Sequence, residues 1–90
     1  MKASNGQILR DALLEILENQ LRDFDPPETK ETYDRLIAEG YSEKETRHFL
    51  AAAIGMEINE MMRDMEPFNR DRFVATLREL PDSLLEDDEH

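Results

Sequence analysis

The sequence contains no cysteine, three glycines, four prolines and two histidines. Without cysteine there is no disulfide framework, no thiolate metal site and no cysteine nucleophile. The three glycines make no phosphate-cradling loop, and His48 and His90 are the only imidazoles. No apolar run approaches the roughly 18 residues of a membrane span. The opening "MKASNGQ" lacks the apolar stretch of a signal peptide, so a cytoplasmic location is expected. Basic residues are also scarce, 11 Lys and Arg against 22 Asp and Glu, for a net charge of -11. Such a surface repels a phosphate backbone instead of releasing its counterions, which argues against nucleic-acid binding. It serves solubility, and it is compatible with a basic protein partner.

What is present is helical period. Hydrophobic residues make up 39% of the chain and charged ones 37%, with a mean hydropathy of -0.73, the balance of a water-soluble domain with a modest core. Ninety residues allow one domain at the size where a second copy often supplements the core, so a homodimer is expected. No repeat and no strand-length alternation is found. The pattern predicts an all-α, compact four-helix domain over 1–81, with helices at about 7–24, 26–39, 43–65 and 70–80 and a long central third helix. Residues 82–90, "DSLLEDDEH", hold five acids and no period and are expected to be a disordered acidic tail.

Local signals set the boundaries. Leu9, Leu13, Ile16, Leu17, Leu21 and Phe24 fall on one side of the first segment at about 100° per residue, and Pro26 and Pro27 stop it. Asp25 is the expected N-cap of the second helix with Pro26 at its first position. Thr29, Tyr33, Leu36 and Ile37 are its expected inner side, and Gly40 its left-handed cap, with Tyr41 folding onto Leu36. Ser42-x-x-Glu45 is a capping box for the third helix. Asn69 should cap the fourth, with Phe68 and Phe73 as a hydrophobic staple, Phe73, Val74, Leu77 and Leu80 buried, and Pro81 closing it.

Three features could carry function. Glu45-x-x-His48 has the spacing by which helices of di-iron proteins offer two ligands. On a helical wheel, however, His48 lies almost opposite the core residues Leu50, Ile54, Ile58, Met61 and Met65, and Glu45 already serves the capping box. The reading taken is a helix start, with no metal and no cofactor; the metal alternative is a helical dimer using Glu45 and His48 with Glu15 or Glu18. Glu57 falls inside the apolar arc, where an ionised carboxylate needs a partner; Arg10, Tyr33 and Arg78 are the candidates. "FLAAAIGMEINEMM" offers close-packing Ala51, Ala52, Ala53 and Gly55 beside Met56, Met61, Met62 and Met65, which fill gaps or present an adaptable surface; the reading taken is the central core helix of the bundle, with a Met-rich binding groove as the alternative. Its apolar arc of about 240° exceeds what three short helices cover and points to self-association.

"LIAEGYSEKETRHFL" resembles the first corner of ubiquitin-associated domains, in which a helix ends in Gly-aromatic-Ser and another begins. It departs from them afterwards, because the next helix here continues for about six turns. Residues 14–81, from "ENQLRDFDPPETKETYDRLIAEGYSEKETRHFLAAAIGMEI" to "PFNRDRFVATLRELP", look like a family of small uncharacterised bacterial all-helical proteins. That resemblance implies an all-α fold and brings no activity. The expectation is a non-catalytic protein-protein interaction or accessory module. A third reading is an acidic adaptor whose tail docks on a basic protein through Leu84 and Leu85.

Overall fold

A computed structural model of the protein describes residues 5–85. The order is α1 (Asn5–Asp23), α2 (Pro27–Ala38), α3 (Glu43–Asp64), α4 (Arg70–Arg78) and a single turn, α5 (Asp82–Leu85). The four-helix all-α expectation is met, and α3 is central, packing against α1, α2 and α4. One buried cluster joins all four: Leu17 from α1, Leu36 from α2, Leu50, Ala53 and Ile54 from α3, and Phe73 and Leu77 from α4, with Leu80 beyond it. At about 25 cal/mol per Å² of apolar surface removed from water, burial of this cluster is the main force holding the helices together.

The corners follow the local signals closely. Gly40 adopts φ 105°, its amide donates to the Ile37 carbonyl at 3.0 Å and the Tyr41 amide to Leu36 at 3.1 Å, both bonds of a Schellman cap. Tyr41 then packs edge-on against Phe49 with ring centroids 5.3 Å apart. In the capping box the Glu45 amide donates to Ser42 Oγ at 3.0 Å and the Ser42 amide to Glu45 Oε1 at 2.9 Å. Asn69 caps α4 by accepting from the Arg72 amide at 2.9 Å, and the Phe68 and Phe73 rings lie 5.6 Å apart across the staple.

Four expectations are corrected. The N-cap of α2 is Pro26, not Asp25, and helix begins at Pro27. The physical cause is Pro27 itself, which forces its predecessor into the extended region, and Pro26 has φ -78°, ψ 151°. The inner side of α2 turns toward Thr32, whose hydroxyl donates to the Glu28 carbonyl at 2.8 Å, while Ile37 remains 37% exposed. On α1 only the middle is covered: Leu17 is buried, whereas Leu9 and Phe24 at the ends are exposed. There α3 approaches closely, because a Cβ on Gly55 would stand 3.2 Å from a Leu13 methyl. Finally, the chain does not lose structure at residue 82. Asp82–Leu85 forms a turn whose Leu84 amide donates to the Pro81 carbonyl at 2.9 Å, and the Leu84 side chain packs against the core.

Long-range polar bonds lock the frame. Thr29 Oγ1 donates to Gln20 Oε1 at 2.9 Å across the α1–α2 corner. Arg35 Nη2 donates to the Leu77 and Leu80 carbonyls at 3.0 and 2.9 Å, satisfying the open end of α4 from α2. The Arg70 guanidinium donates to both Glu28 oxygens at 2.7 Å and holds that carboxyl below the usual carboxylate range.

One group stands out against this economy. Among the described residues Thr46 Oγ1, on a fully buried side chain in the second turn of α3, has no hydrogen-bond partner. A buried hydroxyl without a partner forfeits hydration for nothing, and valine has nearly the same shape. Thr46→Val is expected to raise stability by about 1 kcal/mol in urea unfolding. A loss of similar size would show that the hydroxyl is satisfied in solution.

Candidate functional site

The site is built around the second half of α3. Glu57 is 4% exposed and receives three hydrogen bonds, each 2.9 Å: from Arg72 Nε to Oε1, from Arg72 Nη2 to Oε2 and from the Asn69 amide to Oε2. The two Arg72 bonds form the parallel fork that makes guanidinium–carboxylate pairs both strong and directional. The Arg72 bonds hold the Glu57 carboxyl below its ordinary range, against the upward push of burial, and the Asn69 amide adds to them. The same pairing raises the Arg72 pKa. A carboxylate from α3 thus serves the N-terminal end of α4, where backbone donors are open and negative charge is favoured.

Glu57 is therefore buried and partnered, as its helical position requires. The partner is none of Arg10, Tyr33 and Arg78. It is Arg72, from the first turn of α4, which reaches back across the four-residue corner after Met65 to the face of α3 it has just left.

Beside this pair lies a cleft of about 210 Å³ walled by Ile16 and Gln20 of α1, Ile54, Ile58 and Met61 of α3, and Phe68 and Phe73. The chain segment beside it, Met61–Phe68, forms a lip that exposes three apolar side chains. Met62 is 71% exposed, Met65 88% and Phe68 46%, while Met61 is half-buried. Met65 also ends α3 in the left-handed region at φ 56°, and the Glu66 amide donates to the Met61 carbonyl at 3.1 Å. A non-glycine residue in that conformation costs about 1 kcal/mol or more. Met65, expected among the core residues of the third helix, is therefore corrected to the surface: it is the left-handed cap beyond the last helical residue, where helical period no longer sets the direction of its side chain.

At the other end of α3, Glu45 and His48 are both exposed, and Glu45 Oε1 is occupied by the Ser42 amide. Glu18 of α1 is ion-paired with Arg47. Among the described residues no three His, Asp or Glu side chains come together as a metal-binding group. Glu45 and His48 instead line one side of a groove of about 530 Å³ between α1 and the first turns of α3. Of the two tail leucines, Leu84 is engaged with the core, and the Leu85 side chain and residues 86–90 lie outside the described part.

Sequence reasoning missed Arg72 and Arg35. Arg72 pairs with a residue 15 positions back in the chain, and an Arg at the third helical position is not a capping signal, so no local pattern marked it. Arg35 has no local signal, since its carbonyl partners lie 42 and 45 residues away.

No helix among the described residues is long and apolar enough to cross a membrane. Compared with protein-family models, curated proteins and solved structures, the chain matches none of them.

Proposed function

We propose that the protein is a non-catalytic, cytoplasmic interaction module that associates with a second copy of itself through the end of α3 and the corner that follows. The observation that carries this reading is the exposure of three large apolar side chains close together in the chain, Met62, Met65 and Phe68, beside the Met61–Phe73 cleft. Clustered exposed apolar side chains mark an interaction site, whereas scattered single ones do not. Methionine suits such a surface because its unbranched thioether repacks against different shapes. The Glu57–Arg72 fork fixes the corner that presents Phe68, so the lip is held on rigid structure. A strained Met65 at the centre of the lip fits a position where its side chain is wanted outside the core.

The small size of the domain favours a second copy as the occupant. Two chains of net charge -11 repel at long range, so association of like copies should strengthen as salt screens them. Binding to a basic protein, the alternative that the acidic balance favours, should weaken with salt.

Sedimentation velocity across protein and salt concentrations tests both. The expected result is a dimer at micromolar concentration, tightened by salt, which becomes monomeric in Met62→Lys/Met65→Lys. Its melting temperature should also rise with protein concentration in the wild type and not in the variant. A monomer at high micromolar concentration in high salt would sink the self-association reading.

A further inference from the structure

The groove between α1 and the start of α3 inverts the charge of the molecule. The chain carries twice as many acids as bases, 22 against 11, yet this groove is lined by Arg10, Lys44, Arg47 and His48 with Glu45 as its one acid. Glu45 is turned aside, with Oε1 accepting from the Ser42 amide. Arg47 is committed to Glu18, with its guanidinium carbon 5.6 Å from the Tyr33 ring centre. Arg10 and Lys44 are exposed, and neither is ion-paired with an acid among the described residues. Lys44 also stands in the first turn of α3, the end of a helix that favours negative charge.

Beneath the cations the floor is apolar. It is made by Leu14 of α1 and by Phe49 and Ala51 of α3, with Phe49 braced edge-on by Tyr41. A volume of about 530 Å³ falls in the range of small-molecule sites, roughly 300–1,000 Å³. The combination of an apolar bed and a cationic rim selects a ligand that has both halves. A simple anion leaves the floor wet, and a neutral hydrocarbon leaves Arg10 and Lys44 unanswered. Nucleic acids and anionic bilayers, which present many charges, meet the repulsion of the whole acidic surface. A small monoanion meets only the local field.

We propose that this groove binds an amphipathic monoanion, a single carboxylate on an unbranched apolar chain, with the carboxylate at Arg10 and Lys44 and the chain along Leu14, Phe49 and Ala51. The site is separate from the Met62–Phe68 lip, so it stands or falls independently of self-association.

Dodecanoate is the probe, titrated below its micelle concentration and followed by backbone amide NMR shifts and calorimetry. Saturable binding should move the amides of Arg10–Leu14 and Lys44–Ala51. Acetate, which lacks the chain, and dodecyltrimethylammonium, which reverses the head charge, should each bind at least about tenfold more weakly. Arg10→Glu/Lys44→Glu should weaken dodecanoate by about tenfold or more with no loss of melting temperature, both side chains being exposed and a Glu at position 44 suiting the N-terminal end of α3. Met62→Lys at the far end of α3 should leave the affinity as it is. Equal binding of dodecyltrimethylammonium, undiminished binding by the charge-reversed variant, or shifts confined to Met61–Phe68 would each overturn the proposal.

Discussion

Glu57→Ala is expected to cost about 3 kcal/mol, because it removes the acceptor of three hydrogen bonds at once and strands the Arg72 fork and the Asn69 amide. In a domain of this size that lowers the melting temperature by roughly 12–24 °C. Glu57→Gln should be intermediate, since one oxygen still accepts while the new amide group faces donors that it cannot answer. The pH dependence separates a charge pair from a packing effect. The Glu57 carboxyl has its pKa lowered in the folded state, chiefly by Arg72. Its stabilisation is therefore present above the unfolded carboxyl value of about 4.3 and is lost as pH falls through the folded value.

Arg72→Ala should behave in the opposite sense. With the guanidinium gone, burial dominates and pushes the Glu57 carboxyl up, so the variant is penalised at neutral pH and recovers as acid lets Glu57 take a proton. Urea unfolding of the two variants and the wild type between pH 7 and pH 4 measures this, and the Arg72→Ala deficit should shrink toward the acid end. Parallel curves for Arg72→Ala and wild type would show that the cost of losing Arg72 does not depend on the charge of Glu57.

The contrast between what could and could not be read from the chain follows from the reach of each interaction. The capping box at Ser42 and Glu45, the Schellman cap at Gly40 and the staple between Phe68 and Phe73 each close within five residues, so residue type at a fixed offset nearly determines them. The burial of Glu57 was legible for the related reason that helical period places it in the apolar arc. Its partner was not. Arg72 is 15 residues away, and its approach depends on how sharply the chain turns between Met65 and Asn69. The same limit explains α1 and α5. Period gave α1 an inner side but not how much of it α3 would cover, and Leu84 sits in one turn, too short to show a period. Of the candidate surface, the methionines were visible as a group, whereas the exposure of Met62 and Met65 against the half-burial of Met61 depended on the corner geometry.

Phe73→Ala is expected to have the largest effect on the fold, about 4 kcal/mol. Phe73 is 1% exposed, contributes to the cluster that joins all four main helices, and lies under both the staple and the cleft. Deleting its ring removes the transfer energy of a full aromatic side chain and leaves a cavity whose walls, being helices pinned by the Glu57–Arg72 and Arg35 bonds, collapse only partly. For a domain whose total stability is on the order of 5–10 kcal/mol, the loss consumes much of it. Phe73→Leu, which keeps most of the volume, should cost about 1.5 kcal/mol and remain folded. The denaturant midpoint should fall in that order with little change in slope, the sign that the same surface is exposed on unfolding. Phe68→Ala provides the internal comparison, because Phe68 is 46% exposed on the lip. It should cost only about 1 kcal/mol, most of it the staple contact, yet abolish self-association. Phe73→Leu should do the reverse, weakening the fold while leaving the dimer intact at temperatures where the variant is folded. If Phe68→Ala still dimerises as the wild type does, the lip is not the interface, and the exposed methionines need another explanation.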